Sequence, residues 1–246
     1  MQNNSNFVAM KGLCIYIILS LVCIAVRGQK IEYPDLKKNA STIEEFVPNG
    51  WAIWAVTHGD LNKDKLQDAV IVIQKQDVNF VKTKGSGENE YEYDANPRVL
   101  MVLFKNVKGG YTLAAHNNTF ILRNSNPDRI DPFQSISINS NGILAIDFHF
   151  YYVTQDEDMN NTTYKFRYQN NNIELIGTEI MKVKATTGES IDYSFNFMTK
   201  KVCTTKQNIL NGLKISEVWE SFNMDKLQCI KTLIQPYTWK VNDIDI

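Results

Sequence analysis

The sequence lacks an excess of either charge: 26 Lys and Arg residues stand against 27 Asp and Glu. No basic surplus is present to hold a nucleic-acid backbone, so nucleic acid is not an expected partner. Histidine is scarce, and His58, His116 and His149 are scattered, without metal-ligand spacing and without a serine or cysteine beside them in a nucleophile motif. No catalytic residue is assigned. No repeat of fixed period runs through the chain, which weighs against a propeller or solenoid. Long apolar runs are missing too. The longest, Leu13 to Val26, would make ~21 Å of helix against a hydrocarbon core of ~30 Å, so the mature chain is expected to carry no transmembrane segment.

That apolar run instead has the layout of a secretion signal. It follows a stretch without acidic residues, carries one preceding positive charge at Lys11, and ends at Arg27. Residues 1–28 read as a signal peptide cut before Gln29, which places the protein in the periplasm or outside the cell. Lipidation at Cys23 is disfavoured because Val22 stands where the processing peptidase needs a small side chain. Removing residues 1–28 leaves 246 − 28 = 218 residues, one domain over 29–246. Of four cysteines only Cys203 and Cys229 remain, and an oxidising compartment favours a disulfide between them over two buried thiols.

Beyond a polar lead-in at residues 30–50, with a short helix expected over Ser41 to Phe46, the pattern is one of strands. Ala69 to Ile73 (AVIVI) is wholly apolar and β-branched, a strand buried on both sides. Thr83 to Asn96 is polar and glycine-containing, a long exposed loop suited to partner contact. Hairpins are expected from Arg98–Lys105 with Tyr111–His116, from Phe133–Ile138 with Ile143–Val153, and from Tyr164–Gln169 with Ile173–Lys184. In the second of these, Leu144, Ile146, Phe148 and Phe150 alternate with Ala145, Asp147, His149 and Tyr151, one face core and the other wet. Ile191 to Met198 alternates likewise. Residues 209–234 show helix-like spacing through Leu213, Val218, Phe222 and Leu227. The fold class expected is mainly β (α+β): antiparallel β-hairpins in one domain with a small C-terminal helical element.

One loop carries metal chemistry. Asp60, Asn62, Asp64 and Asp68 place oxygen-bearing side chains at positions 1, 3, 5 and 9, and Leu66 offers a backbone carbonyl at position 7. Calcium takes six to eight oxygen ligands, and a loop curling round the ion presents alternate side chains inward. Two lysines in the same loop, Lys63 and Lys65, support the competing reading of a solvated turn closed by salt bridges. Position 12 is Ile71 rather than a bidentate Glu, so the loop is not an EF-hand.

The stretch GDLNKDKLQDAVIVI resembles the calcium loops of integrin-type FG-GAP repeats and of dockerin and thrombospondin type 3 modules. With NPRVLMVLF, GGYTLAAHNN and YSFNFMTKK it is also similar to a group of exported bacterial proteins of uncharacterised function. The resemblance implies Ca2+ as a structural ion, with Asp60, Asn62, Asp64 and Asp68 as side-chain ligands. Lys65 departs from it, standing where those loops have glycine.

Other constellations read as structural. Asp147, His149 and Tyr151 share a strand face, Asp156 to Asp158 form an acidic tip, and Trp51, Trp54, Tyr151, Tyr152, Trp219 and Trp239 offer aromatic surface. The function expected is that of an exported non-enzymatic protein with a structural calcium loop, binding a protein or glycan partner through residues 83–96 or an aromatic face. An immunity or inhibitor protein directed at an extracytoplasmic toxin or hydrolase is the alternative. A hydrolase using Asp147 and His149 is a third.

Overall fold

A computed structural model describes residues 31–87, 90–151, 158–233 and 235–246. The segment expected to be a signal peptide, most of the acidic tip and Tyr152 fall outside the described residues. Residues 33–246 form one compact unit. Its strands lie in two large antiparallel sheets and two small ribbons. The first sheet has the order β1-β7-β6-β3-β2, from β1 (Asn39–Ala40), β2 (Trp51–Gly59), β3 (Asp68–Lys75), β6 (Arg98–Lys105) and β7 (Tyr111–Asn117). The second is a seven-stranded meander through β8 (Phe133–Ile138), β9 (Ile143–Phe150), β10 (Met159–Gln169), β11 (Asn172–Val183), β12 (Glu189–Asn196), β13 (Lys201–Asn208) and β14 (Leu213–Ser221). The ribbons are β4 (Val81–Lys84) with β5 (Tyr91–Asp94), and β15 (Lys240–Val241) with β16 (Ile244–Asp245).

The two sheets face each other across one core. Val70, Val72, Leu100 and Val102 of the first meet Leu144, Ile146, Tyr164, Phe166, Leu175 and Phe195 of the second. Phe120 stands between them, edge-on to Tyr164 at 5.1 Å and to Phe166 at 5.6 Å, a geometry that aromatic quadrupoles favour. Ala69, Ile71 and Ile73 point the other way, into a second core with Val99, Met101 and Leu103 that Phe46, Leu36, Ile43 and Trp51 cover. Strand β3 is therefore buried on both faces, as its unbroken apolar run Ala69 to Ile73 requires. The lead-in at residues 33–47 is the cover of this second core, and its helix is a single 3-10 turn over Glu44–Phe46.

The C-terminal segment differs from expectation. Leu213 to Ser221 is a strand paired with β13, and among the described residues no helix reaches seven residues, the longest helical pieces being three-residue 3-10 turns. The four residues Ile209 to Gly212, with Gly212 at φ +69°, make the hairpin turn, and β-branched Ile215 and Val218 with Trp219 suit a pleated surface better than a helix. Residues 83–96 are likewise not a plain loop, since part of them forms the β4–β5 ribbon. No helix among the described residues is long and apolar enough to cross a membrane.

The expected disulfide is absent. Cys203 is a buried free thiol on β13 and Cys229 a partly buried one on the segment that bridges to Glu174 of β11. The Cys203 sulfur lies 3.9 Å from the Thr205 hydroxyl, and that of Cys229 3.4 Å from the Thr232 hydroxyl.

Candidate functional site

The loop at residues 60–68 joins β2 to β3 and is closed by its own side chains. Asp60 accepts the amide N–H of Asp64 at 3.2 Å and that of Lys65 at 3.0 Å. Asn62 accepts from Asp64 N–H at 3.0 Å, and Asp64 from Leu66 N–H at 2.8 Å. Short polar side chains that bond the backbone two residues on are the usual means of closing such a turn. Lys63 and Lys65 lie at φ +65° and +69°, the left-handed region where a side chain is strained.

Asp68 does something different. It is fully buried at the first position of β3, and it takes the N–H groups of Leu61 at 2.9 Å and Asn62 at 3.4 Å on one oxygen, and that of Lys105 at 2.9 Å on the other. It thereby ties the loop to the end of β6. Burial pushes its carboxyl above the ordinary value, against the pull of those three amides.

The loop also packs tightly on the second sheet. A Cβ on Gly142 would fall 2.6 Å from the Asp60 carbonyl oxygen, and one on Gly59 2.5 Å from Ile138. Lys63 donates to the Ser140 carbonyl at 3.4 Å. Among the described residues no ion pair joins the loop's aspartates to Lys63 or Lys65, and no three His, Cys, Asp or Glu side chains are grouped as a metal site would group them.

The uncovered face of the seven-stranded sheet gathers the remaining polar candidates. Cross-strand register places Asp147, Thr163, Glu179, Ser194, Cys203 and Trp219 in one row. His149 and Asn161 begin the next row. Asp147 accepts the Ser135 and Thr163 hydroxyls, each at 2.6 Å, and His149 Nδ1 lies 2.6 Å from Asn161 Oδ1 and stacks on Tyr151. Asp147 and His149 are thus each engaged with other neighbours rather than paired as acid and base.

The tryptophans do not share a platform. Trp239 packs on Phe197 in the first core and Trp51 on the second, while Trp54 and Trp219 are exposed. Trp54 is the extra residue of a β-bulge, which turns its ring over the Arg98 guanidinium at 4.9 Å.

Two features escaped the sequence reading. Arg98, fully buried, donates to Gln74 at 2.6 Å and to the Leu122 carbonyl at 2.8 Å and pairs with both oxygens of Asp131. An arginine opening an apolar run gives no sign of such burial. The other is β14, at the open edge of the meander, where Leu213, Ile215, Val218 and Trp219 are 60%, 60%, 50% and 61% exposed. The Asn-Gly pair within the turn at residues 209–212 is the signal that would have located it. Comparison with protein families, curated proteins and solved structures returns no match.

Proposed function

We propose that this chain is an exported, non-enzymatic protein that binds a macromolecular partner in the cell envelope or outside the cell, and that it does so through β14. The observation that carries this reading is the character of that strand. It is nine residues long, pairs only with β13 among the described residues, and exposes four large apolar side chains. Soluble proteins shield long apolar edges because they template pairing with another chain. Here the shielding is slight: Lys214, ion-paired with Glu217, and a bulge at Ile215. A partner that adds a strand would gain main-chain hydrogen bonds along the edge and contacts to alternate side chains. The test is a photo-crosslinking residue placed at position 219 in the exporting cell, with one at exposed Ser137 of β8 as control. A discrete protein adduct from position 219 alone supports the reading. Identical patterns from both positions, or an adduct made of glycan, oppose it.

The same proposal assigns the loop at residues 60–68 a structural calcium ion, held by side-chain oxygens of Asp60, Asn62, Asp64 and Asp68 and by the Leu66 carbonyl. Support comes from the alternate spacing of the donors and from the inward turn of Asp60, Asn62 and Asp64 onto the loop's own amides. Because those oxygens are already engaged, an ion would compete with existing hydrogen bonds and bind weakly. Calcium in hundredfold excess over its dissociation constant would stabilise the fold by about 2.7 kcal/mol. A thermal melt with calcium and with chelator reads this directly, and coincident curves at millimolar calcium count against the ion.

A further inference from the structure

The turn that joins β13 to β14 carries apolar side chains where polar ones are usual. Its conformation is set by other residues. Asn208 accepts the N–H of Leu210 at 3.0 Å, Asn211 accepts that of Leu213 at 2.9 Å, and Gly212 takes the left-handed backbone. The turn is also anchored to its neighbour, because Asn208 donates to the Thr187 carbonyl at 2.9 Å and the Ile209 N–H to that of Gly188 at 2.8 Å. Ile209 and Leu210 are thus held in place at the tip while 46% and 75% exposed, and Leu213 at its base is 60% exposed. Single exposed aliphatic side chains are ordinary, but three grouped on one turn form a patch that marks a contact.

Positive charge flanks the tip on both sides. From Lys206 to Lys214 the sequence holds two lysines and no acid. Register pairs Lys206 with Ser216 and Gln207 with Lys214, so the two lysines leave opposite faces of the hairpin. Lys206 stands two residues before the end of β13, about 7 Å back along the strand. Lys214 pairs with Glu217, but both side chains are exposed, and such a pair is weak and screened by salt. We propose that this tip dips end-on into an anionic lipid surface, with Ile209, Leu210 and Leu213 entering the headgroup boundary and Lys206 and Lys214 meeting phosphate oxygens on either side. The apolar face of an interfacial element enters that boundary by about 5–10 Å, which matches the setback of Lys206, and the long lysine stems bring their ammonium groups to the headgroups. A turn offers no row of main-chain donors and acceptors, so a strand-adding protein gains nothing there, whereas a deformable bilayer takes in a convex apolar tip without a matching pocket. This contact stands apart from the role of β14.

The experiment is cosedimentation of the purified exported chain with vesicles of phosphatidylglycerol and phosphatidylcholine in equal parts, with vesicles of phosphatidylcholine alone as the neutral control. The expected result is saturable binding to the anionic vesicles, about tenfold weaker to the neutral ones and at raised salt, and at least about tenfold weaker when Ile209→Ser and Leu210→Ser are combined. Ile209 and Leu210 precede β14, so the double variant keeps the open edge and its crosslinking from position 219, and failure of either reading leaves the other standing. A second variant, Leu210→Trp, enlarges the apolar tip and is expected to bind about threefold tighter, a gain that a merely disturbed turn would not produce. Absence of binding to the anionic vesicles, equal binding to both kinds, or undiminished binding by the double variant with an unchanged melting curve overturns the proposal. Self-association that the double variant abolishes, without vesicle binding, overturns it too and makes a second copy of this chain the occupant of the tip.

Discussion

Replacing Asp68 by Ala is the sharpest perturbation that the fold offers. The carboxylate is buried and accepts three backbone N–H groups that belong to the loop and to the end of β6. Hydrogen bonds to a charged group contribute about 1.5–3 kcal/mol each, so three independent bonds would sum to roughly 4.5–9 kcal/mol. The true loss is smaller. The bond to Asn62 is long at 3.4 Å, and that residue is only half-buried, so water replaces part of what is removed. An expected destabilisation of about 3–5 kcal/mol follows, a large share of the stability of an ordinary domain. Asp68→Asn turns an amide N–H₂ toward a backbone donor and costs roughly 2–4 kcal/mol on the same reasoning. Urea unfolding at neutral pH measures both, with the slope of the transition unchanged if the native state keeps its compactness. The sign of the pH dependence is fixed by burial. A folded-state carboxyl raised above its unfolded value contributes linkage stability that is fully present below the unfolded value, near pH 4, and is lost as pH rises through the folded value. The gap between the parent and Asp68→Ala should therefore narrow as pH increases above about 4. A loss below about 1 kcal/mol, or a gap that widens with pH, would refute the view that Asp68 ties the loop to β6.

Lys65→Gly removes a side chain from a left-handed position and should raise stability by about 0.5 kcal/mol in the same urea assay, the relief of strain exceeding the added freedom of the unfolded chain. Thr178 is fully buried with a hydroxyl that has no hydrogen-bond partner among the described residues, so Thr178→Val should raise the unfolding free energy by about 1 kcal/mol; a decrease would mean that the hydroxyl is satisfied. Ending the chain at Trp239 removes buried Val241 and Ile246 and the bond from Ile246 N–H to the Trp239 carbonyl. At about 1.5–3 kcal/mol per buried aliphatic side chain, the truncated protein should lose roughly 3–6 kcal/mol in denaturant unfolding.

The meander was legible because its strands alternate. The apolar and polar positions of Ile143 to Phe150 map directly onto the core and the open face, and the Asn139–Gly142 turn is where the glycine and asparagine content placed it. The double burial of β3 was also readable from AVIVI. Two things were not. Residues 33–47 look polar because the six that carry the contacts to the second core, Tyr33, Leu36, Ala40, Ile43, Phe46 and Val47, are spread among charged and polar neighbours. Residues 209–221 mix apolar residues at spacings that suit either period, and the register shift at Ile215 breaks the alternation that would have identified a strand. Asp60 and Asp64 lie in the turn between β2 and β3 and Asp68 opens β3, but spacing alone does not reveal that Asp68 bonds the end of β6. That contact joins positions 37 residues apart.

The central claim is that β14 is an edge left open for another chain. Amide hydrogen exchange of the exported protein, free and in complex with the partner captured through position 219, tests it most directly. The account predicts fast exchange at the outward amides of β14 in the free protein and strong protection there in the complex, with the β4–β5 ribbon unchanged. Protection appearing in residues 81–94 while β14 continues to exchange freely would contradict it.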